Sequence, residues 1–262
     1  MKDLKNLVTP FANVSAGTMM LVGVITYAAI IGLWFIAPNQ LIPSPLEVFG
    51  KFGYLVSERG LFHETMTSLK LNLQATAIAG TLAMLFAYLW VYPVMRPLIG
   101  MLENWRFAGL VGIGFFFMLY FKSAHMAKLA AVVFVMLPYI LTSLVDTVKS
   151  IEEGTINHAK TLKLGSLHTI WEIGLWGSRD RTIEAIRQGF PMGWATTAVV
   201  EGWIRTEGGV GLMIVEQAKY LKLADLFATM LFILILGMIQ NKVLNWIRAA
   251  FCPYSEIGKG AR

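Results

Sequence analysis

The 262-residue chain is 56% hydrophobic and only 15% charged, with a mean hydropathy of +0.61. A soluble domain of this length carries more charge and breaks its apolar runs more often, so the composition excludes an ordinary globular fold and predicts an all-α integral membrane protein. The net charge of +6 does not mark a nucleic-acid binder, because no basic cluster is interleaved with aromatics.

A helix needs roughly 20 residues to cross a hydrocarbon core about 30 Å thick. Ala16 to Ala37 and Leu71 to Met95 are free of charge for 22 and 25 residues, and both are long enough. Shorter uncharged runs follow at Phe107–Phe121, Leu129–Val145, Gln188–Val200 and Leu226–Asn241, each completed by flanking residues whose charged tips reach the interface. The expectation is one transmembrane domain with six spans at 16–37, 69–95, 105–121, 127–146, 183–203 and 224–247. Lys2 and Lys5 before the first span resemble the basic start of a signal peptide. The apolar run is too long for one and no small-x-small cleavage pattern follows at Pro38-Asn39-Gln40, so an uncleaved anchor is expected.

With a cytoplasmic N-terminus, 14 Lys and Arg fall in inside segments and 8 in outside ones, which predicts both termini inside. Much of the positive charge is therefore topology. Cys252 is the single cysteine, so no intrachain disulfide exists. The four histidines (His63, His125, His158 and His168) make no metal-ligand pair at helical spacing, and no metal or cofactor is expected on this chain.

Between the first two spans, Pro43 and Pro45 enforce an extended entry. Ser44 then caps a helix whose apolar residues Val48, Phe49, Phe52 and Leu55 form one face, fitted either to the membrane surface or to the other spans. Gly109, Gly112 and Gly114 give the third span a small-residue face for close contact. Pro138 and Pro191 fall inside the fourth and fifth spans, where each removes a backbone donor.

The longest inside loop, 147–182, is too patterned to be a plain connector. Apolar residues recur at Ile156, Ala159, Leu162 and Leu164, then at Leu167, Ile170, Trp171 and Leu175. Two short amphipathic helices are expected, joined where Gly165 takes a left-handed conformation and Ser166 caps the second helix. Pattern alone leaves two partners for their apolar faces: the inner ends of this chain's own spans, or a docking protein.

No Gly-x-x-x-x-Gly-Lys-Ser/Thr loop and no catalytic constellation occurs in the chain, so it is expected neither to hold a nucleotide in that way nor to be an enzyme. Glu201, Arg205 and Glu207 lead into Gly208-Gly209-Val210-Gly211 at the outer end of the fifth span. Glu201 and Arg205, four apart, can pair on one helix face. The stretch reads either as part of a translocation path or gate, or as an interfacial ion pair followed by a glycine turn.

The inside loop resembles the EAA loop of ABC importer permeases, close to Glu-Ala-Ala-x-x-x-Gly and then Ile-x-Leu-Pro. The similar residues are His158, Ala159, Lys160, Thr161, Leu162, Gly165 and Ser166, continuing to Trp171 and Leu175. Asn157 stands for the glutamate, Lys163 for the glycine, and Trp176 for the proline. Leu41-Ile42-Pro43-Ser44-Pro45, Ala127-Lys128-Leu129 and the stretch from Val199-Val200-Glu201-Gly202 to Gly208-Gly209-Val210-Gly211 are similar to the branch that carries nitrate, sulfonate, taurine and bicarbonate. Prolines common in that family near Trp105-Arg106 are absent.

The resemblance implies a type I importer permease in a bacterial inner membrane, a second permease copy or paralogue, and two ATPase subunits carrying ATP and Mg. It also implies a periplasmic or lipid-anchored binding protein delivering a small solute such as an anion. The loop from His158 to Trp171 would be the coupling helix, so aspartate at Ala159 or Leu162 is expected to break ATPase association. An ion-coupled secondary transporter needs ionisable groups near the membrane centre, which the spans nearly lack. A membrane-embedded enzyme needs a catalytic site.

Overall fold

The computed structural model describes residues 14–36, 42–108 and 110–252, together with Thr9. Among them the chain is helical, without a β-sheet. The helices are α1 (Ala16–Ile36), α2 (Pro45–Ser57), α3 (Leu61–Leu89), α4 (Arg96–Asn104), α5 (Leu110–Tyr120), α6 (Ala124–Lys149), α7 (Glu153–Thr161), α8 (Ser166–Thr169, continued by a wider π turn Ile170–Trp176), α9 (Arg179–Trp203), α10 (Val210–Lys219) and α11 (Leu223–Phe251). Among the described residues four helices, α1, α3, α6 and α11, are long and apolar enough to cross a bilayer.

The packed centre is α3, α6 and α9. Ala75, Ala79, Ala83 and Ala87 repeat every four residues along α3 and are all fully buried, so a stripe of methyl groups lets α6 approach closely. Hydrophobic burial does not drive association between helices in lipid, so close packing and interhelical hydrogen bonds hold such a core. On α9, a Cβ at Gly189 would run into the Ile140 side chain, and one at Gly193 into Asn72 and Met136. The helices α3 and α9 run antiparallel: Ser68 meets Glu201, Gly80 meets Ile186, and the Tyr88 hydroxyl lies 3.2 Å from that of Thr182. Small residues of α3 and α9 thus make close helix contacts. Of the glycines expected to do so on the third span, Gly109 and the surroundings of Gly112 lie outside the described residues, and Gly114 lies close to the ring of Trp203.

Other elements pack around this centre. Ser44 caps α2 with a reciprocal capping box to Glu47, which satisfies two end donors at once. Val48 and Leu55 of α2 are buried in a cluster with Leu61 and Ala228, while Phe49 is exposed; the apolar face of α2 therefore serves the bundle. Most apolar side chains of α1 are exposed, but its Trp34 packs against this cluster, and the indole donates to the Pro43 carbonyl at 3.0 Å. At the far end of α3, Arg96 and Lys149 lie over the Trp90 ring, 4.5 and 5.3 Å from its centre.

Several helix bounds differ from the expected spans, most clearly at α3 and in the segment 105–121. α3 begins at Leu61 and ends at Leu89, where 69–95 was expected, because Glu64 and Lys70 belong to the helix and a 3-10 turn at Pro93–Met95 follows. The segment 105–121 is no single straight helix. A 3-10 turn at Trp105–Phe107 precedes α5, whose 11 residues rise only about 16 Å. Pro138 and Pro191 do lie within α6 and α9.

Candidate functional site

Two polar constructions occupy opposite ends of the bundle. The first surrounds the glycine stretch after α9. Glu207, Gly208 and Gly209 have φ of 75°, 71° and 119°, three consecutive residues of positive φ. A side chain is disfavoured at such φ and glycine is not.

This geometry turns three successive N–H groups inward, the usual shape of an anion-binding nest. Here the chain fills its own nest. The Gly209 N–H donates to Glu64, the Val210 N–H to the Ser68 hydroxyl at 2.8 Å, and the Gly211 N–H to Glu201 at 2.9 Å. The Ser68 hydroxyl donates in turn to Glu201 at 2.8 Å. From the other side, Lys128 donates to the carbonyls of Thr206 (2.6 Å) and Gly208 (3.1 Å). Lys128 and Glu201 are 2% and 1% exposed, and burial at this level is tolerated because their polar atoms are engaged.

Glu201 therefore caps the start of α10 from the neighbouring helix, where a carboxylate also meets the positive end of the helix dipole. It does not pair with Arg205 as its spacing suggested. α9 ends at Trp203, and Arg205 lies beyond it in an exposed turn. Gly211 has a separate reason to be glycine, since a Cβ there would collide with the backbone of Ala198. Together these contacts clamp the ends of α3, α6, α9 and α10 into one unit. Glu201→Ala is expected to lower stability by about 3 kcal/mol, by stranding the Gly211 donor and one contact of Ser68. Glu201→Gln, which keeps an acceptor, should cost about a third of that; the thermal midpoints of the purified variants in detergent would check the order.

The second construction is the hairpin of α7 and α8. Its turn is a Schellman motif: the Leu164 N–H reaches back to the Ala159 carbonyl at 3.2 Å, and Lys163 takes the left-handed position with φ of 53°. The left-handed residue is thus Lys163 and not Gly165. Ala159 is 2% exposed, whereas Leu162, Trp171 and Trp176 are 59%, 54% and 51% exposed. The two indoles meet edge to face at 6.5 Å. His158, Thr161 and Gly165 are exposed; the side chains of Lys160 and Ser166 lie outside the described set.

The hairpin is tied to the bundle. Tyr88 donates to the Gly174 carbonyl at 3.1 Å. Arg248 grips Asp180 at 2.6 and 2.9 Å and Glu184 at 2.7 Å, which joins the starting end of α9 to the closing end of α11. Glycine at position 163 is expected to relieve about 1 kcal/mol of backbone strain, and valine there to add to it. Amide exchange at Leu164 should slow in Lys163→Gly and quicken in Lys163→Val.

Ser68 and Glu64 were not singled out in the sequence, because both sit before the charge-free stretch that marked the span. Among the described residues, no group of three or more His, Cys, Asp or Glu is placed to hold a metal ion. No family model matches the chain, and no curated protein matches it.

Proposed function

We propose that the chain is the transmembrane permease subunit of an ATP-driven ABC importer for a small solute, coupled to a separate ATPase through the hairpin of α7 and α8. The observation that carries this reading is the left-handed φ of 53° at Lys163. That position is where the EAA loop it resembles has its glycine, and a Schellman turn is the physical reason for glycine there. A second support is the exposed apolar surface of Leu162, Trp171 and Trp176 on the hairpin, which favours a protein partner over solvent.

In this reading the chain crosses a bacterial inner membrane six times with both termini cytoplasmic. The hairpin faces the cytoplasm and the clamped glycine loop faces outward. The third crossing runs through 105–121, where the turn before α5 completes a path that α5 alone is too short to make. Two copies, or one with a paralogue, enclose the path, and a binding protein delivers the solute, for which an anion such as nitrate, taurine, another sulfonate or bicarbonate is the reading's choice.

ATP closes the partner dimer, draws the hairpins together and rocks the bundle between its access states. The clamp around Glu201 makes the outward ends of four helices move as one body, so Gly208, Gly209 and Gly211 act as a rigid corner and not as an open gate. The chain itself performs no covalent chemistry.

Affinity purification of the full chain from native membranes tests the proposal. It should bring down a subunit with a phosphate-binding Gly-x-x-x-x-Gly-Lys-Ser/Thr loop. A chain that purifies without any such subunit, under conditions that keep other membrane complexes whole, would contradict it.

A further inference from the structure

The chain from α4 to α5 runs from one end of the bundle to the other. Arg96, at the start of α4, lies over the Trp90 ring, as Lys149 does, at the hairpin end. Gly114 of α5 lies close to the ring of Trp203, two residues past Glu201 at the clamp end. Between these marks the Trp105 ring meets that of Phe134, in the interior of α6, at 4.2 Å. As one helix, Arg96 to Tyr120 would rise about 37 Å, enough for a hydrocarbon core about 30 Å thick. Arg106 is ten residues from Arg96 and eight from Gly114, so it stands about half-way across.

Two opposite charges meet at that level. Glu103 and Arg106 are three apart on a helical stretch that tightens to a 3-10 turn, where side chains at this spacing share a face. Arg106 is exposed and Glu103 half-buried. Among the described residues neither makes an ion pair or a side-chain hydrogen bond; the guanidinium lies over the Phe107 ring, 5.3 Å from its centre. Charged groups at such depth are costly against lipid and face protein or a water-filled path. Even a mutual ion pair would leave most of the five guanidinium N–H groups without acceptors.

A balanced pair of charges selects its ligand. A simple anion would satisfy Arg106 and be repelled by Glu103, and a simple cation would meet the reverse. A solute with an oxyanion at one end and an ammonium at the other engages both groups. It also brings no net charge to a level where the effective dielectric is low.

We infer, resting on the permease reading, that the face carrying Glu103 and Arg106 lines a water-filled path and binds a small zwitterion. The Arg106 fork takes the oxyanion and the Glu103 carboxylate takes the ammonium. This narrows the solute class of that reading from anions in general to solutes that carry both charges.

The test uses the full chain in native membranes, with Cys252→Ala removing its one cysteine and Asn104→Cys placing a thiol beside the pair. Asn104 is exposed, so the membrane-impermeant thiol reagent MTSET, added from either side, should label position 104. β-Alanine should slow the labelling saturably, about tenfold at ten times its half-protecting concentration. Propionate, which lacks the ammonium, should require about thirtyfold more or higher. Glu103→Gln and Arg106→Gln should each raise the β-alanine requirement by a similar factor while position 104 stays reactive. Arg106→Lys, which keeps the charge, should recover most of the protection, as a misfolded chain could not.

A position 104 inert to the reagent, protection by propionate equal to that by β-alanine, or undiminished protection in both glutamine variants would each overturn the inference. Labelling does not depend on recovering the ATPase. A failed co-purification would therefore strike the permease reading alone, and failed protection with the ATPase recovered would strike only the zwitterion site.

Discussion

Leu162→Asp is expected to weaken association with the ATPase by about 100-fold or more, because an unpaired carboxylate would be buried at an apolar contact and each 1.4 kcal/mol is a factor of ten. The chain itself should be little affected, since Leu162 is 59% exposed. The result would be read as a loss of the co-purifying subunit at unchanged yield and thermal midpoint of the permease. Ala159 cannot serve as the matching probe that its place in the loop suggested. At 2% exposure, an aspartate there would enter the hairpin's own packing and destabilise the fold, so any loss of partner would be indirect. The pair of variants thus separates a docking role from a structural one: loss of the subunit in Ala159→Asp alone would assign the hairpin to the bundle.

Gly211→Ala is expected to cost about 4 kcal/mol, as overpacking and the loss of a capped donor combine. The new Cβ would meet the carbonyl and Cα of Ala198, which are backbone inside α9 and have nowhere to move. α10 must then lift from α9, and with it go the hydrogen bonds from Gly211 to Glu201 and from Val210 to Ser68. Gly100→Ala provides the control. A Cβ at Gly100 meets open space within α4, so that change should stabilise the helix by about 0.5–1 kcal/mol. Thermal unfolding in one detergent, compared across both variants and the parent, should show the two shifts with opposite sign. A tolerated alanine at 211 would mean that the clamp is looser than its geometry.

The legible parts of the sequence were those whose physics is local. α1 starts where it was expected, at Ala16, because a helix apolar on every side needs no knowledge of neighbours. Ser44 announced its cap for the same reason, and the return bond from Glu47 is what the structure adds. The start of α3 was missed by eight residues because absence of charge is a poor marker of a helix end when the charge has a partner. Glu64 is helical, and the nest of the glycine loop satisfies it from 145 positions away.

The clamp as a whole was illegible on those terms. Ser68 and Glu201 are 133 residues apart, and Lys128 stands 78 and 80 residues from the carbonyls that it holds. Spacing did suggest a Glu201–Arg205 pair, but that rule assumes a helix continuing through both residues, and α9 ends between them. The turn of the hairpin failed in a different way. Glycine's freedom pointed to Gly165, whereas the closing hydrogen bond from Leu164 to Ala159 demands the left-handed residue at 163 whichever side chain is there.

The measurement that bears most directly on the proposed role is a photo-crosslink from position 162. The full chain, with a photoreactive residue replacing Leu162, would be irradiated in native membranes and its adduct identified. The account predicts a single major adduct with a nucleotide-binding ATPase subunit, formed on the cytoplasmic side, and none when the same probe replaces Glu207 at the glycine loop. An adduct confined to lipid or to the permease itself, or reactivity of position 162 from outside the cell, would contradict it.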